Sequence, residues 1–174
     1  MIIGICGRQG SGKDTVAGLI NKITNNRFER KRFSSKLKEC AGILLGVPVE
    51  LFEDREFKES YIPKYDMTVR ELLQRFGTEF IRETVHPNLW VEATFVGYNG
   101  QDCIVSDVRF INECDAIKSR GGIIVKVNRQ TKKQNHPSEN EIDFIIPDYE
   151  IDNNGSFFDL ELSVSRMMND IAVV

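Results

Sequence analysis

Residues 2–15, IIGICGRQGSGKDT, constrain this chain more than any other stretch. Ile2, Ile3, Ile5 and Cys6 form a short apolar run rich in branched side chains, the pattern of a strand covered on both faces. Gly7, Gly10 and Gly12 follow, and then Lys13 opens a segment in which Val16, Leu19, Ile20 and Ile23 recur at helical spacing. Strand, glycine turn and helix together match the pattern G-x-x-x-x-G-K-[ST] at Gly7, Gly12 and Lys13. Such glycines let main-chain N–H groups converge on phosphate oxygens, and the helix adds the positive end of its dipole. Lys13 then reaches the β- and γ-phosphates. One position departs from the pattern: the hydroxyl slot holds Asp14, and Thr15 comes one residue late. A glycine turn that binds nothing is the plain alternative. The register of Gly7, Gly10, Gly12 and Lys13 between a buried strand and an amphipathic helix argues against it.

Further along, CIVSDVRF (103–110) and IIVKVN (123–128) repeat the buried-strand pattern, and YEIDN (149–153) predicts a last strand before a final helix. Strands alternating with helices predict an α/β fold with a parallel sheet covered on both sides. The length of 174 residues suits one domain. A long insertion at about 34–98 separates the first two buried strands. It begins with a helix capped by Ser34 or Ser35. Its clearest element is a helix over 68–85, opened by a Thr68–Glu71 capping box, with Val69, Leu72, Leu73, Phe76 and Phe80 on one face. A further helix is predicted at 88–98, and the polar segment 129–143 reads as a lid.

Several residues carry candidate chemistry. Asp107, near the carboxyl end of a buried strand, suits magnesium or its water, or else a helix cap. Arg109 offers a planar fork for a phosphoryl group, or a surface ion pair. Arg70, Gln74, Thr78 and Arg82 recur every four residues, either as a solvated face or as the wall of a mononucleotide pocket. Ser35 and Lys36, at a helix start, suit an anion. The basic run through Arg27, Arg30, Lys31, Arg32, Lys36 and Lys38 reads as solvated. Trp90 reads as core. His86 and His136 lack metal-ligand spacing, and the four cysteines form no C-x-x-C pair. The formal charge of −3 argues against a dedicated DNA or RNA binder. No apolar stretch spans a membrane and no signal peptide is seen. Cysteine usage fits a reducing cytoplasm.

The chain resembles the deoxynucleoside monophosphate kinases of tailed phages through GRQGSGKDT, FSSKLKE, TVRELLQRFGTEFIRE followed by Trp90, SDVRFINECDAIKSRGGIIVKVNR, HPSENE and IDNNGS. The resemblance implies a three-layer α/β/α P-loop NTPase fold with a central parallel sheet, a helical substrate-binding insertion and a lid. It implies transfer of the γ-phosphoryl of ATP to a deoxynucleoside monophosphate with Mg2+, in the cytoplasm, or in a host's cytoplasm for a phage protein. The oligomeric state stays open, a homodimer being suggested only by analogy with such enzymes. The loop set is then Gly7, Gly10, Ser11, Gly12, Lys13, Asp14 and Thr15, with Thr15 and Asp107 on the metal side and Asp14 touching metal-bound water. Lys13, Asp107 and Arg109 are the catalytic set, Arg129 joins the ATP site, and Ser35, Lys36, Arg70, Gln74 and Arg82 hold the acceptor. Two alternatives stay open: another small-molecule P-loop kinase, such as the phosphomevalonate kinases that share a GKD loop, and a nucleotide-binding module without transferase activity.

Overall fold

The computed structural model describes residues 1–130 and 141–173. Contacts divide them into two compact units, Met1–Arg32 with Gly97–Val174, and Phe33–Val96.

The first unit is built on β1 (Ile2–Cys6), β2 (Glu29–Lys31), β3 (Cys103–Val108), β4 (Ile123–Asn128) and β5 (Tyr149–Asp152). Among the described residues they form a five-stranded sheet in the order β2-β3-β1-β4-β5. Every pairing is parallel, with Ile3 opposite Ile104 on one side and Ile123 on the other. The sheet is covered on both faces, as the apolar runs require. Ile3 and Ile5 pack with α1 (Lys13–Ile23) and the last helix, Phe157–Val173, through Val16, Ile20, Leu160 and Val164. The opposite face of β1 meets the helix Ile111–Lys118: a Cβ on Gly4 would lie 2.6 Å from Ile117 Cδ1. This alternation is the period-2 geometry of a strand.

The second unit holds α2 (Ser34–Leu45), a 3-10 turn at Val49–Glu53, α3 (Arg55–Glu59), a small hairpin of Tyr61–Ile62 with Met67–Thr68, α4 (Val69–Gln74) and α5 (Leu89–Phe95). Ala41, Phe52 and Val69 form its buried centre, and the Phe52 and Phe57 rings meet edge to face at 5.4 Å. The expected capping box is present: Glu71 N–H donates to Thr68 Oγ1 at 3.1 Å, and Thr68 N–H donates to Glu71 Oε2 at 2.7 Å.

Three expectations need correction here. The helix predicted over 68–85 is α-helical only to Gln74 and continues as a π-helix, Arg75–Val85, closed by His86 N–H donating to Ile81 O. Gly77 is the weak point of the α ladder: Trp90 Nε1–H donates to its carbonyl at 3.0 Å, and a Cβ there would lie 2.6 Å from Leu37 Cδ2. Phe80, placed on the apolar face by 3.6-residue spacing, is exposed. At the start of α2 the N-cap is Phe33, and no side chain caps it. Among the described residues no helix is long and apolar enough to cross a membrane.

Candidate active site

The turn after β1 has the backbone its glycines anticipate. Gly7, Gly10 and Gly12 have φ of 146°, 79° and 98°, values that L side chains rarely adopt. Ser11 N–H donates to Arg8 O at 3.1 Å and closes the turn. Ser11 Oγ is buried, with no partner in the structure. Lys13 Nζ donates to Gly7 O at 2.6 Å and Arg8 O at 2.9 Å. The ammonium is thus held at the turn by main-chain carbonyls. Thr15 is exposed on the first turn of α1.

Other elements buttress this turn. Asn153, just after β5, donates through Nδ2 to Ser11 O at 2.8 Å, and a Cβ on Gly12 would lie 2.3 Å from that nitrogen. Arg8 Nη2 donates to both carboxylate oxygens of Asp143, at 2.9 and 2.7 Å. Beside the turn lies a cavity of about 330 Å³ lined by Gly7, Arg8, Asn128, Arg129, Asp143 and Asn154 among others. Arg129, expected at the ATP site, lines this cavity. Gln130 N–H donates to Asn154 Oδ1 at 2.8 Å, which ties the chain after β4 to the chain after β5.

Asp14 is engaged on the other side. It accepts from Arg32 Nη2 at 2.8 Å, Arg30 Nη2 at 3.2 Å and Ser106 Oγ at 3.1 Å. Burial pushes this carboxyl up, but the hydrogen bond and charge of Arg32, with Ser106 and Arg30, outweigh it and hold the group below the usual carboxylate range. Alternation along β3 sends Ser106 and Asp107 to opposite faces. Ser106 is the strand residue whose side chain meets Asp14, and Asp107 is half-buried on the other face. Glu113, almost fully buried, accepts from Arg109 N–H at 2.7 Å and Phe110 N–H at 3.2 Å. This fixes the backbone from which Arg109 leaves the strand end.

The expected acceptor-side residues lie in the Phe33–Val96 unit. Arg70 is paired with Glu59, Nε and Nη2 both reaching Oε1 at 2.8 and 2.7 Å. Lys36 is exposed and paired with Glu39 at 2.7 Å. Arg82 Nη1 donates to Pro87 O at 3.4 Å, and Ser35 and Gln74 are half-buried. Most of the expected lid, residues 131–140, lies outside the described residues.

Sequence reasoning gave no role to Arg8, Ser106, Glu113 and Asn153, and it read Arg30 and Arg32 as part of a solvated basic run, whereas both pair with Asp14. Glu113 and Asn153 sit inside the quoted stretches DVRFINE and IDNNGS, so their place was marked without a role. The pairing of Arg30 and Arg32 with Asp14 depends on which strand lies beside which, and local pattern carries no such information.

The described residues hold no cluster of His, Cys, Asp or Glu able to enclose a metal by protein groups alone. The oxygen donors of Thr15 and Asp107 suit a hard cation that completes its shell with water and substrate phosphates, as magnesium does.

The chain is similar to known proteins over most of its length. A mimivirus protein (Acanthamoeba polyphaga mimivirus) assigned by name to the deoxynucleotide monophosphate kinases is 31% identical, covering 82% of each chain. The deoxynucleoside-5′-monophosphate kinase of Escherichia phage T5 is 25% identical over 82% of this chain and 85% of its own. Among solved structures, shikimate kinase from Bacteroides thetaiotaomicron superposes with a TM-score of 0.55 at 16% identity, covering 99% of this chain and 98% of its own. Dephospho-CoA kinase from Campylobacter jejuni superposes at 0.52 with 11% identity, covering 98% and 96%. At those identities the likeness shows the fold alone, a three-layer α/β/α P-loop fold. The family model for deoxynucleotide monophosphate kinases matches residues 49–164, and the chain belongs to that family.

Proposed function

We propose that the protein transfers the γ-phosphoryl group of ATP to a deoxynucleoside 5′-monophosphate and releases the diphosphate. The observation that carries this reading is the turn at 7–12, where glycines at positive φ precede a lysine held at the turn's mouth by the carbonyls of Gly7 and Arg8. The triphosphate lies along the turn, and Lys13 moves from those carbonyls to the β- and γ-phosphates. The nucleoside of ATP extends toward the cavity bounded by Asn128, Arg129 and Asn154.

The acceptor is itself a phosphate, with a second pKa of about 6. It is largely ionised at neutral pH, so no side chain need remove its proton. The demand is to bring two anions into line and to neutralise them. Lys13 and Arg109 serve the transferring group. Ser35, Lys36, Arg70, Gln74 and Arg82 are the acceptor-side residues of the Phe33–Val96 unit. Thr15 and Asp107 are the residues on the magnesium side, and the ion supplies charge neutralisation of the phosphate oxygens.

The test is a coupled assay of ATP with each of dAMP, dCMP, dGMP and dTMP, and with phosphomevalonate as a competing acceptor. Diphosphate formation from at least one deoxynucleotide is expected. Lys13→Ala is expected to lose at least about a hundredfold in kcat/KM while its melting temperature stays within a few degrees. Turnover of phosphomevalonate alone would point to a different kinase. Tight deoxynucleotide binding without any diphosphate would leave a binding module.

A further inference from the structure

Two guanidinium groups converge on one carboxylate beside the phosphate-binding turn. Arg30, on β2, and Arg32, just past the end of that strand, both donate to Asp14 Oδ1, at 3.2 and 2.8 Å. Ser106, from the neighbouring strand β3, donates to the same oxygen at 3.1 Å, and Arg32 Nε approaches Ser106 Oγ at 3.5 Å. Asp14 stands where a P-loop enzyme carries its magnesium-side hydroxyl, yet its carboxylate is turned to arginines.

We propose that Arg30 and Arg32 receive the 5′-phosphate of the acceptor, and that Asp14 is the positioning residue that holds them, rather than a partner of metal-bound water. The proposal rests on the kinase reading above and assigns its acceptor-phosphate site. The strand order decides the side. The cavity for the donor nucleoside is walled by residues at the ends of β4 and β5, and β1 with its turn comes next. In-line transfer places the acceptor across the γ-phosphate from the donor. Across the turn from the cavity lie β3, which carries Ser106, and β2, which carries Arg30 and is followed directly by Arg32. Each guanidinium is a planar fork of N–H donors, the geometry that phosphate oxygens take. Fixing both forks beforehand lowers the side-chain entropy lost when a phosphate is bound.

The experiment is steady-state kinetics on the full chain with ATP and each deoxynucleotide varied in turn, plus calorimetric binding of the deoxynucleotide without ATP or metal. Arg32→Ala is expected to raise acceptor KM and Kd by roughly tenfold or more, with KM for ATP within about twofold. Arg30→Ala and Asp14→Asn should show the same pattern more weakly. Asp14→Asn placed on Arg32→Ala should add less than about twofold, because the anchor has lost its main cargo. Arg32→Lys should recover part of the acceptor affinity through charge without the fork. An unchanged acceptor KM and Kd in both arginine variants would overturn the proposal. So would an Asp14→Asn enzyme whose requirement for Mg2+ rises while acceptor KM stays put. Wild-type protein that phosphorylates no deoxynucleotide would remove the kinase reading and this site with it, an outcome distinct from active enzyme with indifferent arginines.

Discussion

The turn at 7–12 and the helical run at 69–85 are both short segments whose sequence pattern is strong, and they differ in what decides their shape. In the turn the decision is local. Gly7, Gly10 and Gly12 stand at positive φ, where a side chain would be strained, so residue type and backbone conformation specify each other. In the helical run the apolar spacing and the capping box start an α-helix, and both are satisfied through Gln74. Beyond it, Trp90 takes the Gly77 carbonyl and Leu37 fills the space beside Gly77, and the ladder widens to i→i+5. A pattern fixed by main-chain sterics can be read from one residue type. A pattern fixed by partners distant in the chain cannot.

The sharpest way to break this comparison is to put a side chain into the turn. Gly12→Ala has to hold φ near 98° and place its Cβ about where Asn153 Nδ2 sits, 2.3 Å away. Strain alone is of order 1–3 kcal/mol. We expect a stability loss of about 2 kcal/mol or more in chemical denaturation, and loss of most phosphoryl transfer, because the main-chain donors around the phosphate are displaced. Asn153→Ala removes the clash but not the strain, so Gly12→Ala should cost less in that background. Equal costs in the two backgrounds would mean that Asn153 does not press on the turn.

A milder test falls on the other region. Trp90→Phe keeps an aromatic ring beside Phe76 but deletes the donor to Gly77 O. A lost hydrogen bond of this kind costs about 1 kcal/mol. Hydrogen exchange should report faster opening of amides 75–86, with ATP affinity unchanged. If those amides keep their original exchange rates, the indole bond does not hold the run and the contrast with the turn fails.

The same division explains how much of the molecule was legible. The parallel sheet followed from three apolar runs, and the turn from Gly7, Gly12 and Lys13. Arg129, just after β4, lines the cavity beside the turn. Asp14 was seen as an irregularity but not understood, since its partners Arg30 and Ser106 arrive from strands that pair only in the folded sheet. The every-fourth spacing of Arg70, Gln74, Thr78 and Arg82 assumed one helix type across a segment that has two. Arg70 ended in a pair with Glu59, eleven residues earlier in the chain. Short-range periodicity could not have indicated that contact.

The smallest predicted effect leaves stability and turnover untouched and sharpens the contrast between the units. Cys6, Cys103 and Cys114 are buried in the sheet unit, whereas Cys40 on α2 is half-exposed. Burial pushes the Cys6 thiol up to about 11 and that of Cys114 up to about 12, and it raises Cys103 as well. Only thiolates react readily, so a thiol reagent should modify Cys40 in the native protein and all four cysteines after denaturation. The sign of the pH effect follows from the raised values. Below pH 9.0, the ordinary thiol value, folded and unfolded chains both keep these protons, and the full contribution to stability is present. Above it the unfolded chain ionises first, so stability declines as pH climbs toward 11. Native labelling should therefore stay confined to Cys40 from pH 7 to 9 and spread to the buried thiols only as the fold itself begins to open. Rapid labelling of Cys6 or Cys114 at pH 8 would mean that the sheet unit opens more readily than the burial of these thiols implies.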